Sequence, residues 1–91
     1  MAKQAEVINR ELMDTVVVGQ DPSGIILATF NGLGVPMSMK VAEGFQSKSA
    51  DELSQACTAA MIDGHKRAQA AMMNRMGQMY SDAGVPMPPT Q

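Results

Sequence analysis

Hydrophobic and polar residues alternate with two different periods along this chain. Near its start, Ala5, Ile8 and Leu12 recur at intervals of three and four residues with charged side chains between them. This spacing predicts an amphipathic helix over residues 2–14. β-Branched residues follow at once over 15–18, and such residues favour extended backbone. The first part of the chain therefore predicts a helix followed by a strand.

A hairpin signal then divides a longer apolar stretch. Asn31-Gly32 favours a tight turn, and we expect a strand on either side of it, over 24–30 and 35–41. In the last strand the odd positions are apolar, whereas the even positions are Pro36, Ser38 and Lys40. This alternation predicts one packed and one solvated face. The short turns imply an antiparallel meander, whose edge could pair with the same edge of a second copy.

The longest predicted element is a helix that begins after Ser49 and ends near Ala83. Ser49 and Glu52 fit the two positions of a capping box, and Gly84 fits the end of the helix. About 33 residues at 1.5 Å each give a rod of about 50 Å, whereas a compact chain of this length has a radius of gyration of about 12 Å. We therefore expect the helix to protrude or to lie on a partner.

Apolar and small side chains form a continuous stripe along this helix, and the chain contains ten methionines. We expect the first half of the stripe to cover the strands, but no strand within the chain remains for the second half. Methionine packs adaptably and suits contacts between helices. The pattern therefore predicts a dimer or partner interface that includes Met61, Met72, Met76, Met79 and Tyr80.

Charge limits the kind of partner. Seven basic and nine acidic residues give a net charge of −2, without the strong positive excess that is usual for nucleic-acid binders. Aromatic residues make up only 3% of the chain, which disfavours recognition by base stacking. Salt-sensitive contact with DNA phosphates is still available to basic side chains in a dimer. The candidates are Lys66, Arg67 and Arg75 on the long helix, Lys3 and Arg10 near the N-terminus, and Lys40 on the third strand.

Few residues offer catalytic or metal-binding chemistry. Cys57 and His65 are the only cysteine and the only histidine, and about two turns of helix, or roughly 12 Å, separate them. No cluster of His, Asp and Glu has metal-ligand spacing, and no Gly-rich phosphate loop precedes a helix. We therefore expect neither an enzyme nor a cofactor or metal. The sequence contains no run able to span a bilayer and no secretory signal, so we expect a soluble intracellular protein.

Several short motifs follow one another in a characteristic order. They are Gly19 with Ser23-Gly24, the stretch from Ile25 to Asn31-Gly32, Met39-Lys40-Val41, Asp51-Glu52-Leu53-Ser54, Ala59-Ala60-Met61-Ile62-Asp63, Met76, and Gly84-Val85-Pro86-Met87-Pro88-Pro89. With the order of elements, they make most of the chain resemble the YbaB/EbfC nucleoid-associated protein family. The resemblance implies an α+β fold of α-β-β-β-α order, an intertwined tweezer-like homodimer, and weakly sequence-specific binding of double-stranded DNA in the bacterial nucleoid.

Two functions stay open at this point. The first is a homodimeric, non-enzymatic nucleoid protein of the cytoplasm that contacts DNA phosphates. The second is a protein-interaction adaptor, in which the methionine-rich second half of the long helix and the Pro-rich tail form a groove for another protein. The resemblance also allows this role, because plastid proteins similar to the family are linked to protein targeting at the thylakoid membrane. An adaptor of that type would reside in the plastid stroma after removal of a transit peptide. In either case we expect one domain over residues 1–83 and a Pro-rich tail over 84–91.

Overall fold

A computed structural model describes residues 2–84 of the chain. Its elements are α1 (Ala2–Asp14), β1 (Val16–Gln20), β2 (Ile26–Asn31), β3 (Pro36–Val41), a short 3-10 helix (Phe45–Ser47) and α2 (Ala50–Asp82). The predicted α-β-β-β-α order is confirmed. The part of the predicted Pro-rich tail that follows Gly84 lies outside the described residues.

The three strands form one antiparallel sheet in the order β1-β2-β3. β1 continues beyond the predicted end at residue 18, because Gly19 pairs with Ala28 and Gln20 pairs with Leu27. In the pairing of β2 with β3, Thr29 pairs with Ser38 and Phe30 pairs with Pro36, so the register shifts and Met37 of β3 has no partner in β2. The predicted meander is therefore present, with β1 and β3 as its two edges.

The turn between β1 and β2 is organised by the carboxylate of Asp21, a buried residue that is only 3% exposed. One of its oxygens accepts a hydrogen bond of 2.8 Å from the Ile26 amide. The other accepts one of 3.1 Å from the Ser23 amide and another from the Ser23 hydroxyl. These hydrogen bonds hold the pKa of the Asp21 carboxyl below its ordinary value, and the one from the Ser23 hydroxyl has the largest effect.

The turn between β2 and β3 is organised by a second buried side chain, Asn31. Its amide oxygen accepts hydrogen bonds from the backbone amides of Leu33 and Val35, at 2.9 and 3.1 Å. In the same turn, the Gly32 amide donates a hydrogen bond of 2.7 Å to the carbonyl of Leu12. This contact fixes the C-terminal end of α1 against the sheet.

The start of α2 confirms the predicted capping box. The Ser49 hydroxyl accepts a hydrogen bond of 3.1 Å from the Glu52 amide, and the Glu52 carboxylate accepts one of 3.0 Å from the Ser49 amide. The helix gives the molecule a long axis of 53 Å and a radius of gyration of 16.3 Å. A compact chain of this length would have about 12 Å, so the expected elongation is present.

The core lies where α2 crosses β1 and β2. Small residues at every fourth position of α2, namely Ala60, Gly64 and Ala68, are buried. They pack with the buried side chains of β2, namely Ile26, Ala28 and Phe30. Because residues four apart share one face of a helix, this row of small side chains lets α2 approach the sheet closely.

The expectation that β3 has one packed face is wrong. All six residues of β3 are exposed. Met39 pairs with Ala28 and Val41 pairs with Ile26, so these β3 side chains point to the side of the sheet on which α2 lies. They stay uncovered because α2 packs on β1 and β2 and does not extend over β3.

The expectation that the chain leaves the second half of α2 uncovered is also wrong in part. α1 contacts this half, with Val7 and Ile8 facing Met79 across a shared cleft. Of α1, Ile8 and Leu12 are buried. The side chains predicted to form an interface here are half-buried within the single chain: Met72, Met76, Met79 and Tyr80. The apolar stripe of α2 alone does not indicate that α1, distant in sequence, covers its second half.

Candidate functional site

Two of the six predicted DNA-contacting cations form ion pairs. The Arg67 Nε atom lies 3.0 Å from Asp63 Oδ2, one turn earlier in α2. The Arg75 Nε atom lies 2.7 Å from Glu11 Oε2, and its Nη2 atom lies 3.4 Å from Glu11 Oε1. Both guanidinium groups therefore already have a carboxylate partner within the chain.

Asp63 also connects α2 to the sheet. Its Oδ2 atom accepts a hydrogen bond of 3.0 Å from the Gln20 amide at the end of β1. This amide, followed by the Arg67 side chain, lowers the pKa of the Asp63 carboxyl. Asp63 therefore stays ionised at neutral pH and compensates the charge of Arg67 locally.

The Glu11–Arg75 pair connects α1 to the second half of α2. The Arg75 side chain is 31% exposed and that of Glu11 is 47% exposed. The hydrogen bond from Arg75 lowers the pKa of the Glu11 carboxyl, and the same bond raises the pKa of Arg75. Among the described residues, this is the one ion pair that joins two different helices.

The other four predicted cations are exposed and take part in no ion pair within residues 2–84. Lys3 and Arg10 lie on α1, Lys66 lies on α2 and Lys40 lies on β3. Lys40 pairs with Leu27, which places it on the face of the sheet opposite α2. A single chain therefore does not gather these cations into one patch, although Lys3 and Arg75 line the same cleft.

A continuous apolar surface is formed by β3, which α2 leaves uncovered, and by the adjoining side of α2. We call it the β3–α2 apolar face. Its members are between 42% and 62% exposed, and they are Met37, Met39 and Val41 of β3 with Met61 and Ile62 of α2. Met37, Met39 and Met61 line one groove together with Phe30. Contiguous exposed apolar side chains of this kind are typical of an interaction surface.

Sequence reasoning found one part of this face and missed another. Met61 was predicted as an interface residue, whereas Met37 and Met39 were expected to pack inside the chain. His65 lies at the border of the face, with its ring edge-on to Phe30 at a centroid distance of 6.5 Å. The missing information was the path of α2 across the sheet, which no local pattern specifies.

The described residues offer little other chemistry. They contain no group of three or more His, Cys, Asp or Glu side chains placed to hold a metal ion. Within the same part of the chain, no helix has the length and hydrophobicity needed to cross a membrane. Cys57 is half-buried and forms no disulfide.

Comparison with solved structures supports the fold. The chain is similar to the uncharacterized protein HP0035 from Helicobacter pylori, with a TM-score of 0.70 and 20% sequence identity. The match covers 91% of this chain and 85% of that one. At this identity the similarity concerns the fold alone.

Sequence comparisons place the chain among named proteins. It is 26% identical over 82 residues to the nucleoid-associated protein Synpcc7942_0464 of Synechococcus elongatus, covering 90% of this chain and 73% of the relative. It is 27% identical over 82 residues to the nucleoid-associated protein tlr0723 of Thermosynechococcus vestitus, covering 90% and 71%. The model of the YbaB/EbfC DNA-binding family matches residues 1–83. The chain therefore belongs to the YbaB/EbfC DNA-binding family.

Proposed function

We propose that this chain is a non-enzymatic, nucleoid-associated protein of the cytoplasm that binds duplex DNA as a homodimer. The observation that carries this proposal is the match to a DNA-binding family over residues 1–83. The two cyanobacterial relatives are named as nucleoid-associated proteins, which supports the same role here. We treat residues 1–83 as the single domain that performs it.

The β3–α2 apolar face supports the homodimer, with the same face of a second copy as its occupant. β3 is an edge strand, and an edge strand presents unpaired backbone groups that readily pair with another strand. Two β3 edges related by a twofold axis would bring the two apolar faces together, since such a contact uses the same patch on both copies. The predicted interface would extend along α2 through Met61, Met72, Met76, Met79 and Tyr80.

The proposed contacts with DNA are made by cations on phosphates. Lys66 is exposed on α2, and a twofold axis would double it together with Lys3, Arg10 and Lys40. Arg67 and Arg75 stay in the proposed set, although each has a carboxylate partner in the single chain. Binding through phosphates is largely independent of sequence and weakens steeply as salt rises.

A salt titration with a duplex of arbitrary sequence tests the proposal. Each phosphate contact contributes about 0.9 to the slope of log affinity against log salt concentration, so Lys66→Gln should reduce this slope. Lys48→Gln is the matched control, because Lys48 lies near the N-terminus of α2 beside Glu52 and is not a proposed contact. Absence of binding by micromolar protein at low salt contradicts DNA binding.

The adaptor is the second candidate, and the charge of the chain favours it. The net charge is −2, and two arginines are paired with carboxylates. An adaptor, which in a plastid would act in the stroma, would bind a protein at the methionine-rich half of α2. We expect Met72→Asp with Met76→Asp to abolish recovery of a discrete partner in a pull-down, and unchanged recovery would count against the adaptor.

A further inference from the structure

The ion pair between Glu11 and Arg75 joins residues that are 64 positions apart in the sequence. Two nitrogens of the guanidinium face two oxygens of the carboxylate, at 2.7 and 3.4 Å. The planar fork of arginine fits a carboxylate and a phosphate in the same manner. Glu11 therefore occupies the Nε and Nη2 edge of Arg75, one of the two edges at which a guanidinium can bind a phosphate.

The cleft around Arg75 combines charged residues of both signs with apolar walls. Arg75 lines the cleft between α1 and α2 with Lys3 at the same opening, and the apolar side chains of Val7, Ile8 and Met79 form its walls. Asp82 is the acidic residue that also lines the cleft. A phosphate that displaced Glu11 would have Lys3 as a second cation in the same cleft, whereas the nearby charge of Asp82, which adds to the effect of Glu11 in raising the pKa of Arg75, would oppose it.

Glu11 is free to give way, in contrast to the other paired carboxylate. Asp63 accepts a hydrogen bond from the Gln20 amide as well as from Arg67, so its position is fixed by the packing of α2 on β1. The Glu11 side chain has hydrogen bonds to Arg75 alone among the described residues. Partly exposed ion pairs of this kind contribute little net stability, so separating Glu11 from Arg75 costs little free energy.

We propose that Glu11 competes with a DNA phosphate for Arg75, so that the ion pair between α1 and α2 holds DNA affinity below the value that the cations would otherwise give. The proposal rests on the proposed DNA-binding function and adds a built-in restraint to it. Arg75 then offers its Nε and Nη2 edge to a phosphate when the Glu11 side chain moves away.

The test compares variants of the full chain by fluorescence anisotropy with one duplex at several salt concentrations. Glu11→Gln removes the charge of the competitor and keeps its shape. Glu6→Gln is the matched control, because Glu6 is exposed on the same helix and takes part in no ion pair within residues 2–84. Arg75→Gln, alone and combined with Glu11→Gln, tests whether the effect passes through Arg75.

We expect Glu11→Gln to bind the duplex about two- to fivefold more tightly than Glu6→Gln, since the competing ion pair is of the weak, partly exposed class. Its slope of log affinity against log salt should be steeper by about 0.9, the value for one added phosphate contact. In a chain that also carries Arg75→Gln, Glu11→Gln should increase the affinity for DNA by no more than Glu6→Gln does in the parent. Circular dichroism and light scattering confirm that every variant keeps the helix content and mass of the parent.

Three outcomes would overturn this inference. If the parent binds DNA and Glu11→Gln behaves as Glu6→Gln does, the inference fails while the proposed function stands. An equal gain from Glu11→Gln with and without Arg75 shows a general charge effect and also overturns it. If neither the parent nor any variant binds DNA, the proposed function and the inference both fail.

Discussion

Gly19 of β1 lies directly against Gly64 of α2. A Cβ atom on Gly19 would come within 2.1 Å of the Gly64 nitrogen and 2.6 Å of the Ala60 carbonyl oxygen. A Cβ atom on Gly64 would lie 2.5 Å from the ring of Phe30. Backbone therefore meets backbone at this crossing, and the position of α2 on the sheet depends on the absence of two side chains.

Replacing either glycine of this crossing should destabilise the fold. Gly19→Ala inserts a methyl group against backbone atoms that cannot rotate away, so we expect a loss of about 3 kcal/mol in the free energy of unfolding. Gly44→Ala is the comparison, because it meets no atom within 4 Å but has a φ of +99°, which costs about 1 kcal/mol. Urea denaturation measures both, and equal losses would contradict the close crossing.

A charge on the β3–α2 apolar face should dissociate the proposed homodimer. Met39→Asp would place an unpaired carboxylate in the interface at a cost of about 3 kcal/mol, or roughly 100-fold in the dissociation constant. Light scattering should then give the mass of one 9.7 kDa chain. Met13→Asp is the control, since Met13 is 53% exposed on α1 and lies outside this face. Dimers that persist in Met39→Asp at low micromolar concentration would place the interface elsewhere.

The capping box at the start of α2 should contribute to stability. Ser49→Ala removes the hydroxyl that accepts from the Glu52 amide, and loss of such a cap costs about 1 kcal/mol. Ser54→Ala is the control, because Ser54 is exposed inside the helix, where alanine is at least as favourable as serine. The midpoints of urea denaturation measure the difference, provided that the free energy of unfolding depends on urea concentration with the same slope in both variants. Equal stability of the two variants would show that the cap contributes nothing.

Stability should fall in acid, in part through Asp21. Its pKa is lowered in the folded chain, so its contribution is fully present above the unfolded value of about 3.9 and is lost as pH falls through the folded pKa. Asp21→Asn should therefore reduce stability at pH 7 and flatten the decline below about pH 4. Asp14→Asn, at the exposed end of α1, is the matched substitution and should leave stability at pH 7 within about 0.5 kcal/mol of the parent. Urea midpoints between pH 7 and pH 2.5 separate the two results.

Local sequence signals predicted the elements well because their causes are local. The capping box at Ser49 and Glu52 and the Asn31-Gly32 turn each depend on residues at most a few positions apart. The spacing of Ile8 and Leu12 likewise identified the buried side of α1.

Long-range relationships could not be predicted in the same way. The crossing of α2 over β1 depends on Gly19 and Gly64, whose proximity no local pattern indicates. For the same reason the exposure of β3 was missed, and with it three of the five members of the β3–α2 apolar face. At the candidate site, the Asp63–Arg67 pair has the helical spacing that favours contact, but the partner of Arg75 lies on another helix.

The 53 Å long axis of the molecule sets the scale on which it can act. One helical turn of B-form DNA rises about 34 Å, so a chain lying lengthwise along a duplex would occupy about one and a half turns. On a duplex much shorter than this, part of the chain would extend beyond the end of the DNA. Length, as well as charge, would then decide how many copies fit side by side on a chromosome.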